Sequence, residues 1–112
     1  MFNFEDDELT LAATDSYRLA EKKLNIKAKN EFVKQRVIIP SRTIQELLRI
    51  LSSYSSEGLN AGGDEGVKIA VSDNQILFSI DSVELVSRLI SGQYPDYKQI
   101  IPNSKETQVL VD

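Results

Sequence analysis

A β-branched run, Val37-Ile38-Ile39, meets Pro40 and is followed at once by apolar residues at helical spacing. Branched side chains suit a strand, and proline removes a backbone donor and ends it. Beyond the proline, Ile44, Leu47, Leu48 and Leu51 fall at i, i+3, i+4 and i+7, one stripe of a helix that Ile50 widens. Ser41 or Thr43 is the expected cap, and Thr43-Ile44-Gln45-Glu46 matches a capping box, which would satisfy free N–H groups at the helix start. Burying each apolar residue of the stripe contributes roughly 1.5–3 kcal/mol, so this helix is expected to anchor the local core.

Period-two patterns flank the helix on both sides. Phe2 and Phe4 alternate with polar neighbours as a short strand that turns at Asp6-Asp7, and Leu9-Thr10-Leu11-Ala12-Ala13 reads as the next. Thr14-Asp15-Ser16 favours a turn through side-chain to backbone hydrogen bonds. In the longer third run, Ala20, Lys22, Leu24, Ile26 and Ala28 share one face, which is expected to be buried, with Lys22 near an end or edge. Lys29-Asn30-Glu31 reads as a polar connection and Ser52 through Gly66 as a loop. Past that loop, Val67–Val71 and Gln75–Ile80 flank Ser72-Asp73-Asn74 as a hairpin, and Val83–Ile90 adds a third strand. The pattern predicts an α+β fold: strands, one main helix, then a three-strand meander.

Composition narrows the chemistry. The chain has 112 residues, enough for one domain, with no Cys and no His. A disulfide framework, a thiol nucleophile, a Cys-based zinc site and a histidine base are thereby excluded. No apolar run reaches bilayer length, and Met1-Phe2-Asn3-Phe4-Glu5-Asp6-Asp7 lacks the basic region of a secretion signal, so a soluble cytoplasmic protein is expected. Glu5, Asp6, Asp7 and Glu8 lack the alternating ligands and central glycine of a calcium loop. Gly62-Gly63-Asp64-Glu65-Gly66 lacks the Lys-Ser/Thr of a phosphate loop. Asp15 and Asp96 have no catalytic partner at useful spacing and are read as turn-closing residues. No catalytic site, metal or cofactor is expected. The net charge of −4 argues against tight phosphate binding, which draws on clustered Lys and Arg, though it permits a protein that holds DNA topologically.

Three blocks remain: Ala13-Thr14-Asp15-Ser16-Tyr17-Arg18-Leu19-Ala20, Val37-Ile38-Ile39-Pro40 running into the helix, and Gly92-Gln93-Tyr94-Pro95-Asp96-Tyr97 with its trailing Ile-Pro. In this order and spacing they resemble the bacterial DNA polymerase III beta subunit, the replicative sliding clamp, across its middle domain. Each domain of that family has two strand-helix-strands units. The resemblance therefore implies a middle domain over residues 1–102 that starts after its first strand and helix, with 103–112 as linker and opening strand of the following domain. Without a helical neighbour, the Ile44/Leu48/Leu51 stripe would be an association site; Thr107–Asp112 is expected to fill the missing edge, within the chain or in a partner, or a homodimer to supply the cover.

The resemblance also implies a site. The family binds short peptides of the polymerase and clamp loader in an apolar groove, whose residues fall here on Thr14, Ser16, Tyr17, Arg18, Leu19, Pro95 and Ile100. Leu19, Pro95 and Ile100 would form a floor for a Leu or Phe anchor, while Thr14 and Arg18 could meet backbone or polar groups; the competing reading makes Leu19 and Ile100 plain core. Ser16 and Tyr17 stand where a small residue and His are common in enterobacterial clamps. Weak contacts to duplex DNA fall on Arg42, Lys98 and Gln99, with Gln99 where Arg is frequent; ordinary solvated surface is the competing reading. The function implied is a non-catalytic processivity clamp that closes as a homodimer around DNA; the alternative is a small β-rich adaptor unrelated to replication.

Overall fold

The computed structural model describes residues 1–27, 34–54, 66–104 and 106–111. Strand β1 (Phe2–Glu5) turns back into β2 (Glu8–Thr14), which turns again into β3 (Leu19–Asn25); β4 (Gln35–Val37) joins the far side of β1. These form an antiparallel four-stranded sheet in the order β3-β2-β1-β4. The first turn needs a left-handed residue, and Asp6 supplies it with φ 49°; a short polar side chain tolerates that region better than a branched one. The β4 pairing stops short of the expected strand: Ile38 makes only an isolated antiparallel bridge to Ile90 before Pro40.

Helix α1 spans Ser41–Ser53 and is the one α-helix among the described residues. Its start differs from expectation. Pro40 itself is the N-cap, and no side chain caps the helix. Proline already lacks the donor that would otherwise be orphaned, and its fixed φ of −56° suits the entry to a first turn. Thr43 is thus inside the helix, where its hydroxyl meets the Ser87 hydroxyl at 2.7 Å, and Glu46 pairs with Arg49 instead of closing a capping box. Thr43→Val is expected to destabilise the fold by about 0.5–1.5 kcal/mol through that lost bond, whereas Ser41→Ala should be close to neutral. Urea denaturation of the two variants checks this; a larger loss for Ser41→Ala would restore the capping-box view.

The apolar stripe is also rotated. Leu47 is buried, and Ile44, Ile50, Leu51 and Tyr54 pack against the core, but Leu48 is 58% exposed. Beyond the helix, β5 (Lys68–Val71), β6 (Gln75–Ile80) and β7 (Val83–Arg88) form an antiparallel three-stranded sheet in that order, the predicted meander. Ile76, Phe78 and Ile80 alternate into the core from β6, as Phe2, Phe4 and Leu9 do from the first sheet. The sheets meet at Phe2 and Phe78, edge to face with centroids 6.1 Å apart. Val37, Ile39 and Leu47 complete the same cluster.

Register shows what lies on the other face of the first sheet. Phe2 faces Leu11 and Phe4 faces Leu9, so these four share the inner face. Asn3, Thr10 and Ala12 alternate outward, yet Thr10 and Ala12 are buried. They are covered from outside, by the segment described below.

Two expectations are corrected here. β3 was expected to bury one face; instead all of Leu19–Asn25 is exposed. It is the edge of its sheet, and the core lies beneath β1 and β2, so among the described residues of that face only Ile26 packs against the core. Lys22 is accordingly at an edge, as its charge requires. Residues 107–111 form no strand and are exposed, so within the described chain they fill no sheet edge. Ala28, the Lys29-Asn30-Glu31 connection and most of the 52–66 loop lie outside the described residues.

Candidate functional site

The β2–β3 turn is built by its own side chains. The Asp15 carboxylate accepts from the Tyr17 and Arg18 amides, each at 3.0 Å, and from the Arg18 guanidinium at 2.8 Å. The Thr14 hydroxyl donates to the Arg18 carbonyl at 2.9 Å and accepts from the Ser16 amide at 3.2 Å. Asp15 is therefore the turn-closing residue its sequence context predicts. The Tyr17 amide above all, and then the Arg18 guanidinium, hold its carboxyl below the usual carboxylate range. Ser16 takes the left-handed conformation, φ 75°, and leaves the Tyr17 ring 96% exposed at the tip.

The second piece is the corner after Gly92, whose φ of 146° favours glycine. Tyr97 N–H donates to the Pro95 carbonyl at 2.8 Å, a tight turn centred on Asp96, and Tyr97–Gln99 winds into a short 3-10 helix. Asp96 accepts from the Gln99 side-chain amide at 3.0 Å, so it too braces its own corner. Tyr94 and Tyr97 stack edge to face at 6.2 Å.

These pieces, some 80 residues apart, meet on the outer face of the first sheet. The Tyr97 hydroxyl donates to the Glu21 carboxylate at 2.6 Å, and the Tyr94 hydroxyl reaches the Ala12 carbonyl at 3.4 Å and the Thr14 backbone. Ala12 and Glu21 are register partners, and so are Thr14 and Leu19. Alternation then puts Thr14 and Leu19 on the same face as Ala12 and Glu21, beside the tyrosines. The buried Thr10 and Ala12 are explained by this cover. Tyr97 is only 6% exposed; burial first, and then the neighbouring Glu21 carboxylate, push its phenol up to about 12. Because the folded value exceeds the ordinary 10, its contribution to stability is complete below pH 10 and is lost as pH rises through 12.

Of the seven predicted groove residues, Thr14 and Leu19 face each other across the ladder, and Ser16, Tyr17 and Arg18 form the tip. Pro95 and Ile100 flank Tyr97, the residue that docks the corner. Leu19 is 37% exposed and Ile100 75%, so neither is plain core. The three predicted DNA contacts lie on two different elements, and all are exposed. Arg42 is exposed in the first turn of α1, the helix that packs on the core. Lys98 and Gln99 are on the corner outside the sheet, where Lys98 feels the charge of Glu5.

Sequence reasoning missed the residues that join the two pieces, Glu21 and Tyr97. The available signal was the register: a turn over residues 15–18 sets Ala12 opposite Glu21, leaving a carboxylate beside a small residue on one face. Among the described residues no three acidic side chains cluster as a metal site, and no helix is long and apolar enough to cross a membrane.

Known proteins resemble this chain along most of its length. The beta sliding clamp of Staphylococcus epidermidis is 35% identical over 108 residues, 96% of this chain but 26% of the clamp. That of Staphylococcus aureus is 34% identical over the same coverage. The chain thus spans about a quarter of the length of these curated relatives. The crystal structure of the DNA polymerase sliding clamp from Bacillus subtilis aligns with TM-score 0.72 and 32% identity, covering 92% of this chain and 24% of that one. A Pseudomonas aeruginosa sliding clamp bound to griselimycin aligns with TM-score 0.75 and 27% identity, covering 94% and 26%. The family model for the DNA polymerase III beta subunit, central domain, matches residues 1–96, and the chain belongs to that family.

Proposed function

We propose that this chain serves as part of a DNA sliding clamp, a non-catalytic, cytoplasmic processivity factor that encircles duplex DNA, and that it binds short peptides of polymerase and clamp loader. The observation that carries the peptide part is the docking of the Tyr94–Tyr97 corner beside the Thr14–Leu19 turn on one sheet face. In this reading Leu19, Pro95 and Ile100 form the apolar floor, with Thr14 and the Arg18 guanidinium at its polar margin; Ser16 and the exposed Tyr17 ring border the tip. A peptide with Leu and Phe anchors suits such a floor, because rigid apolar contacts carry most of the energy in small grooves. The tether acts by effective concentration: a polymerase held on the ring returns to the primer end instead of diffusing away.

Contact with DNA is proposed to be weak, in keeping with the net charge of −4. Arg42 on the helix layer, and Lys98 and Gln99 on the corner, are the groups offered. Self-association into a ring, and residues 103–112 as the linker and opening strand of a following domain, belong to the same proposal.

Titrating a fluorescein-labelled Gln-Leu-Ser-Leu-Phe peptide into the full chain tests the peptide part. Saturable binding that a shuffled peptide of the same composition fails to compete away is the expected result. Equal competition by the shuffled peptide would mean an unselective apolar surface and sink the assignment.

A further inference from the structure

We infer that Glu21 is a positioning residue for this furrow: its carboxylate holds Tyr97, and so the Pro95–Ile100 wall, against the β2–β3 turn that supplies the other wall. The inference deepens the peptide-binding reading above and rests on it. Glu21 is none of the predicted groove residues; it is two residues from Leu19 on β3 and accepts from Tyr97, which lies between Pro95 and Ile100 in the chain.

Besides the burial of the Tyr97 ring, few polar contacts hold the corner. Its backbone hydrogen bonds are local: Tyr97 to Pro95, Gln99 to Asp96 and Ile100 to Tyr97. It pairs with no strand, and Pro95, Asp96, Lys98, Gln99 and Ile100 are exposed. Among the described residues its polar ties to the sheet are the Tyr94 hydroxyl, on the Ala12 carbonyl and the Thr14 backbone, and the Tyr97 hydroxyl on Glu21. The Tyr94 bond is long at 3.4 Å, and its acceptor, the Ala12 carbonyl, also takes the Met1 amine at 2.8 Å. The Tyr97 bond is short at 2.6 Å and ends on a carboxylate. A hydroxyl donating to an ionised oxygen is roughly twice as strong as a neutral pair. This bond is therefore the strongest polar anchor of the corner.

Geometry turns that anchor into a binding property. Glu21 is two residues from Leu19 on β3, so both side chains project from one face. Tyr97 is two residues from Pro95 and three from Ile100. The bond thus links the strand that carries Leu19 to the corner that carries Pro95 and Ile100. Arg36 and Tyr94 also lie within electrostatic reach of the Tyr97 phenol, but Glu21 is the side chain that accepts its proton. Because Glu21 is at an exposed edge, removing its carboxylate opens no cavity in the core.

The test uses the full chain and the labelled Gln-Leu-Ser-Leu-Phe peptide with Glu21→Ala, Tyr97→Phe, the double variant, Glu21→Gln and Leu19→Ala. Glu21→Ala and Tyr97→Phe should each weaken binding by roughly three- to tenfold, and the double variant should be no weaker than either, because both remove one bond. Glu21→Gln keeps an acceptor and should recover most of the affinity. In an ultraviolet titration, the phenol that ionises at about 12 in the parent should ionise lower in Glu21→Ala. A role confined to stability would move melting temperatures and leave the affinity of the folded chain unchanged. Parent-like affinity in Glu21→Ala and Tyr97→Phe, beside a weakened Leu19→Ala, overturns this inference and leaves the peptide site standing. Losses that add in the double variant overturn it as well. A parent chain that does not bind the peptide removes both.

Discussion

Phe78→Ala is expected to destabilise the protein by about 3–5 kcal/mol, the range for deleting a buried aromatic ring. Phe78 is 1% exposed and meets Phe2 across the two sheets, within a cluster that includes Ile76, Ile80 and Leu47. No neighbour can collapse into the space without pulling one sheet off the other. A domain of this size has about 5–15 kcal/mol of stability in all, so the variant should lose a large share of it. Urea denaturation followed by circular dichroism measures the shift. Val86→Ala is the contrast: Val86 is exposed on β7, and its truncation should stay within about 0.5 kcal/mol. Similar midpoints for the two variants would show that the Phe2–Phe78 contact is not the join between the sheets.

Leu19→Ala should weaken the labelled peptide by roughly tenfold, about 1.4 kcal/mol, while leaving stability nearly unchanged. The separation of the two effects follows from position. Leu19 opens an edge strand, opposite Thr14 and on the face shared with the tyrosine corner, and part of its surface is free to meet a ligand. Removing it takes away floor area that the ligand would cover, and no fully buried side chain of the core loses a neighbour it depends on as Phe78 does. Isothermal titration alongside thermal melts distinguishes the cases. Unchanged affinity would move the peptide site elsewhere, and a large drop in melting temperature would make Leu19 a core residue after all.

Local patterns were legible because their causes are local. The Phe2/Phe4 hairpin, the Asp15 turn and the β5–β7 meander each follow from side-chain alternation or from a side chain bonding its own backbone. The α1 stripe was legible as a helix, but its buried side was not fully so. Leu48 fits the periodicity as well as Ile44 does, yet only the docking of α1 on the sheets decides which of them is covered. The capping box failed for a similar reason. Thr43 had a partner 44 residues away in Ser87, and Pro40 had already begun the helix.

The candidate site divides along the same line. Resemblance to a family identifies Thr14, Ser16, Tyr17, Arg18, Leu19, Pro95 and Ile100, but no spacing in the chain relates the first five to the last two. In the proposed site their relation runs through the Tyr97–Glu21 bond, a contact between residues 76 positions apart. β3 makes the same point from the other direction, since its alternation predicts a buried face and the sheet order puts it at an exposed edge.

By itself, then, the amino-acid order determined the turns, the strand pattern and the one described helix, because those depend on interactions within a few residues. Tertiary structure alone decided which apolar faces are covered and how the corner meets the turn. Burial and long-range hydrogen bonds depend on which elements become neighbours, and a one-dimensional pattern carries no record of that.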